Sequence, residues 1–177
     1  MGVQIGARPD SGFDDPIGML KDCHRRIEHF LQILCLVAER APGRVLTDEE
    51  VAAVEAALHY FRVGGQRHTA DEEESLFPRL RADARSAGLE ELGHLETEHQ
   101  QANQLHATAD ALYRSWIASG QLKVEDERRL IAATAQLKRL YEDHIEVEEK
   151  IVFPRAAEML DGANIAAIGA EFRARRG

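Results

Sequence analysis

At 177 residues, with 44% hydrophobic and 30% charged side chains, the chain has the size and balance of one folded domain, which excludes a disordered protein. A net charge of −9 without a concentrated basic stripe argues against nucleic-acid binding. No apolar run approaches the roughly 20 residues that cross a bilayer, so no membrane association is expected.

The opening, MGVQIGARPDSGFDDP, has neither a basic n-region nor an apolar h-region. No secretion signal is expected, and residues 1–15 read as a flexible segment. The first predicted helix spans 16–40, where Ile17, Leu20, His24, Ile27, Leu31, Leu34 and Ala38 keep an unbroken rhythm of 3- and 4-residue steps. Cys23 and Cys35 lie on it roughly 18 Å apart, beyond disulfide reach, and free thiols fit a reducing, cytoplasmic home. Pro42-Gly43 ends that stretch, and TDEE at 47–50 offers a capping box with Thr47 as N-cap. The second helix, 48–83, carries the seam Val51, Val54, Leu58, Phe61, Gly65, His68, Glu72, Leu76, Leu80. Within it, Gly64-Gly65 permits a bend or a close approach, and Pro78 should kink or end the helix.

After Gly88 comes a third helix, 88–119, with the seam Leu92, Leu95, His99, Ala102, His106, Ala109, Tyr113, Trp116. After Gly120 a fourth, 122–159, follows with Leu130, Ala133, Leu137, Leu140, His144, Glu148, Ile151, and Pro154 should kink or end it. Asp161-Gly162 precedes a short amphipathic tail near 164–175, whose basic end, EFRARRG, reads as a solvated helix terminus. No segment alternates like a strand. Short connections make successive helices antiparallel. The expected fold is therefore all-α: an up-down-up-down four-helix bundle over 16–160 with a short C-terminal helix in 161–177.

Each of the four seams carries a histidine, and two carry a glutamate one turn further on. An ionised carboxylate is costly to bury unless it is paired or holds a metal. His68 with Glu72, and His144 with Glu148, are i, i+4 pairs, about 40° and 6 Å apart on a helix, so each pair can aim at one point. The surrounding phrase is written twice, as RHTADEEESLFPRL at 67–80 and DHIEVEEKIVFPRA at 143–156. His24 and His99 are 75 positions apart, and His68 and His144 are 76. One helical hairpin thus stands written twice. Counting from the loops places all four histidines at one depth to within roughly 3 to 8 Å. Two metal ions bridged by the two glutamates fit this arrangement, with positions left for water or a small ligand. Mixed nitrogen and oxygen ligation favours iron, with manganese or zinc as alternatives.

Other polar groups read more blandly. Glu73 and Glu149, rotated by roughly 100°, should face a neighbouring helix or water, and Glu74 and Glu146 lie further off the seam. His106, roughly 10.5 Å along the helix from His99, reads as a core or channel residue. His29, His59 and His94 read as surface or interface groups. Glu98 should be exposed, with a role in holding an imidazole as the alternative. Cys23 reads as a half-buried thiol, with redox involvement as the alternative, and Tyr113, Trp116 and Tyr141 as core packing.

The segments LKDCHRRIEHFLQIL, HTADEEESLFP, ETEHQQANQL and HIEVEEKIVFP resemble, in order, the four helices of the hemerythrin-like (HHE cation-binding) family over residues 16–159. The resemblance implies a non-haem di-iron centre of two iron ions that binds dioxygen, peroxide or nitric oxide. It carries the ligand role onto His24, His68, Glu72, His99, His144 and Glu148. Oxygen carriers of the family add a fifth histidine through a His-x-x-x-His pair on the third helix, where this chain has Leu95 and Asn103 at the two positions four residues from His99. Four histidines with two glutamates more closely resemble bacterial di-iron proteins linked to nitrosative stress and iron–sulfur cluster repair. Those carry an extra cysteine-containing N-terminal domain that this sequence does not show. The leading expectation is a sensor or stress-defence protein for O2, peroxide or NO. The alternatives are an enzyme of peroxide or NO detoxification or of iron donation, and a structural metal-binding bundle that acts through a protein partner touched by the tail. The partner expected is a small diatomic or peroxide ligand, with an electron-transfer or protein partner left open.

Overall fold

Pro16 begins α1 (Pro16–Arg40) at a position whose missing N–H leaves nothing unsatisfied. The computed structural model describes residues 10–40, 42–83, 85 and 89–177. Thr47 caps the second rod as its sequence promised: its side chain accepts from the Glu50 amide at 3.2 Å, and Glu50 accepts from the Thr47 amide at 2.9 Å. That rod runs through α2 (Asp48–Tyr60), α3 (Gln66–Asp71) and α4 (Phe77–Ala82). The third rod is α5 (Glu91–Ser119), closed by Gly120 in the left-handed region at φ 73°. The fourth joins α6 (Val124–Val147) to α7 (Phe153–Met159), and α8 (Gly162–Ala174) follows from an Asp161 cap. Each rod packs on two neighbours, α1 on α2 and α6, and α5 on α2 and α6. The fold is an all-α four-helix bundle with a fifth, C-terminal helix, and the described residues contain no strand.

The rods are not uniformly α-helical. Wide turns with i→i+5 bonding occupy π1 (Phe61–Gly65), π2 (Glu72–Leu76) and π3 (Glu148–Val152). The last two begin at the paired glutamates themselves. Such a turn adds one residue; at π3 the buried stripe shifts by one position, whereas at π2 the expected Leu76 and Leu80 stay buried. Ile151, expected on the seam, is 39% exposed, while Val152 and Phe153 are buried in its place. The same wide turns change what the prolines do. Pro78 and Pro154 end neither helix; they sit in the first turns of α4 and α7, where the displaced carbonyls leave room for the ring.

The core is two apolar clusters with a polar layer between them. One gathers Ile27, Leu34, Val54, Phe61, Tyr113, Trp116 and Leu137 with their neighbours. The other gathers Leu20, Leu76, Phe77, Leu95, Phe153, Ile168 and Phe172. On every rod the boundary between the clusters falls at a histidine: His24, His68, His99 and His144, all buried. This sandwich fixes one depth for all four. Residues 1–9 of the expected flexible segment lie outside the described residues. Residues 10–15 are packed: the Ser11 amide donates to Asp22, and a Cβ added at Gly169 of α8 would stand 1.9 Å from the Phe13 carbonyl oxygen. No helix among the described residues is long and apolar enough to cross a membrane.

Candidate metal centre

α1 supplies His24, α3 His68, α5 His99 and α6 His144, while Glu72 and Glu148 stand at the first residues of π2 and π3. All six are at most 5% exposed. They form two overlapping sets whose nitrogen and oxygen atoms lie within 4.8 Å of one another. His24 and His68 share one set with both glutamates, and His99 and His144 share the other. The sharing is crossed. Glu72 places Oε1 3.2 Å from His68 of its own hairpin and Oε2 3.3 Å from His99 of the other. Glu148 places Oε1 3.4 Å from His144 and Oε2 3.0 Å from His24.

These contacts do not satisfy the carboxylates. None of the four carboxylate oxygens has a hydrogen-bond partner, nor does His24 Nε2. His99 Nε2 and His144 Nε2 face each other at 3.1 Å. Buried oxygens and ring nitrogens that converge unbonded fit a cation, because charge is tolerated in an interior only when paired or coordinated. The crowding of these groups shifts their protonation. Burial and the charge of Glu148 push Glu72 well above the usual carboxylate range. Burial acts the same way on Glu148, but the His144 and His24 imidazoles outweigh it and hold the group well below that range. Burial opposes charge on His144 too, yet Glu148 and Glu98 raise it to about 10. Burial and neighbouring imidazoles lower His68.

The second glutamate of each phrase faces a neighbouring helix while keeping part of its surface in solvent. Glu73 accepts from His99 Nδ1 at 2.7 Å, and Glu149 does the same for His24 Nδ1 at 2.8 Å. Glu98 holds an imidazole as well, but that of His144, at 2.8 Å, rather than its neighbour His99. The phenylalanine of each phrase also crosses over. Phe153 stacks on His24 with ring centroids 5.4 Å apart, and Phe77 lies parallel to His99 at 6.5 Å. The duplicated phrase therefore encodes one half of a crossed support. Its first Glu serves both sets, its second Glu grips the lone histidine of the other hairpin, and its Phe covers that ring. The doubled Glu-Glu was the available signal.

The profile of one protein family, described as the hemerythrin HHE cation binding domain, matches residues 15–156. The chain belongs to that family. No curated protein matches this hemerythrin-like chain significantly. Of the two positions four residues from His99, Leu95 is 1% exposed and belongs to the second apolar cluster, and Asn103 is exposed. His106 meets Tyr141 at 3.2 Å, away from the two ligand sets, and lines a surface cleft with Phe61 and Asn103. Cys23 and Cys35 are free and buried. Tyr113 and Trp116 are core residues that donate to the backbone carbonyls of Leu34 and Arg44.

Proposed function

We propose that this hemerythrin-like protein holds two iron ions through His24, His68, Glu72, His99, His144 and Glu148, and uses them to bind or process O2, peroxide or NO in sensing or stress defence. The observation that carries this reading is the set of unpartnered Glu72 and Glu148 oxygens inside a ring of four imidazoles. Iron so held, with coordination positions left over, supplies reversible small-ligand binding and electron exchange. The chain's own part is to orient and exclude. Glu73, Glu98 and Glu149 fix the tautomers of three rings by accepting from Nδ1, so that Nε2 faces the centre. Phe77 and Phe153 cover the layer from the α8 side. Tyr141, 6.3 Å from the His144 ring, lines a surface cleft with Leu31 and Lys138 on the opposite side.

The test is elemental analysis of purified protein, followed by absorption spectra of the iron-loaded form before and after O2, NO or peroxide. Two irons per chain and a new charge-transfer band with one of these ligands are expected. A colourless iron protein inert to all of them refutes the ligand-binding role. Turnover of peroxide or NO that vanishes in Glu72→Ala and Glu148→Ala makes the protein an enzyme.

A further inference from the structure

The four imidazoles are not held alike. His24, His99 and His144 each give Nδ1 to a carboxylate, from Glu149, Glu73 and Glu98. His68 Nδ1 is buried and has no hydrogen-bond partner. The repeat shows what is missing. Glu98 precedes His99 by one residue and grips the second histidine of its own hairpin, His144. The residue 75 positions earlier, which precedes His24 by one, is Cys23. Its thiol is engaged elsewhere, accepting from Arg26 at 3.3 Å, while its carbonyl accepts from the Tyr60 hydroxyl at 3.3 Å. Where the second hairpin writes a carboxylate, the first writes a thiol turned to another partner.

A carboxylate on the remote nitrogen of a metal-binding imidazole fixes its ring and raises its basicity. Removing such a partner typically costs roughly 10- to 100-fold in metal affinity. Geometry otherwise gives the two sets the same ligands: two imidazoles and two shared glutamates. We infer that the two metal positions are unequal by construction. The one at His99 and His144 binds tightly, the one at His24 and His68 is exchangeable, and Glu98 and Cys23 are the positioning residues that set the difference. At limiting divalent cation the protein is then a defined one-metal species that gains and loses a second ion. This rests on the reading that the six residues hold two ions.

The experiment titrates metal-depleted full-length protein with Zn2+ against a chromophoric chelator, which reads the affinity of each step without any activity. Both ions share Glu72 and Glu148, so unequal steps alone decide nothing; the variants decide. Cys23→Glu restores the missing carboxylate and should strengthen the weaker step by roughly 10-fold or more. Glu98→Gln should weaken the tighter step by a comparable factor, leaving Cys23→Glu behaviour independent of it. Variants that melt like the parent and leave both steps unmoved overturn the inference. If Cys23→Glu does not fold, an unmoved tight step in Glu98→Gln overturns it alone. Protein that binds no Zn2+ at all refutes the six-residue site instead, a result distinct from two steps that ignore these residues.

Discussion

The two hairpins share one phrase but differ in what surrounds it. The first has Asp71 immediately before its shared glutamate, where the second has Val147. Asp71 is fully buried and held by Arg175 at 2.9 Å and Arg176 at 2.6 Å, so the end of the chain closes over the first hairpin. The basic C-terminus is thus not a free solvated helix end, and α8 buries Ile168 and Phe172 in the bundle. The second hairpin has His106 and Tyr141 where the first has Leu31 and Gly65. A repeated centre within a varied surround teaches that the two hairpins share their buried His and Glu pattern and differ in how each half is closed around it.

The largest effect expected from breaking the comparison falls on the shared glutamates. Because each serves both sets, Glu72→Ala and Glu148→Ala should each lose both ions, not one, in elemental analysis. Retention of a single ion in either variant would mean that the halves work separately. Next comes the latch on the first hairpin. Replacing Arg175 and Arg176 together with Ala strands a buried carboxylate and should cost roughly 3–5 kcal/mol in denaturant unfolding. Adding Asp71→Val, the residue of the second hairpin, should restore most of that loss; no restoration would show that the arginines act through something other than Asp71.

A smaller effect belongs to the second hairpin alone. Burial lowers His106 to about 4, so the unfolded chain, with an ordinary imidazole near 6.5, binds the extra proton first. Stability is then complete above pH 6.5, falls by about 1.4 kcal/mol per pH unit as pH drops toward 4, and levels off below it. Denaturation of metal-loaded protein across that window should be steeper in the parent than in His106→Leu, which carries the first hairpin's residue. Equal slopes would remove His106 as the cause. The smallest effect is at Gly65, where an added Cβ meets only the Phe61 ring, at 3.6 Å. Gly65→Ala should raise thermal stability by up to about 1 kcal/mol, since alanine loses less backbone freedom. A marked loss would mean that this position must stay open.

What could be read along the chain was whatever recurs locally. Four rods, their caps at Thr47 and Gly120, the histidine on each stripe and the glutamate on two of them follow from a period of about 3.6 residues and the cost of a lone buried charge. Ile151 shows where that reasoning ends, because the wide turn at Glu148 changes the period there and a fixed step of 3 or 4 residues cannot announce it. The destinations of Glu73, Glu98, Glu149, Arg175 and Arg176 were decided only by assembly of the bundle. A helical periodicity says which direction a side chain leaves its own rod, but the atom it meets belongs to another rod, up to 125 residues away, and only tertiary packing sets that distance.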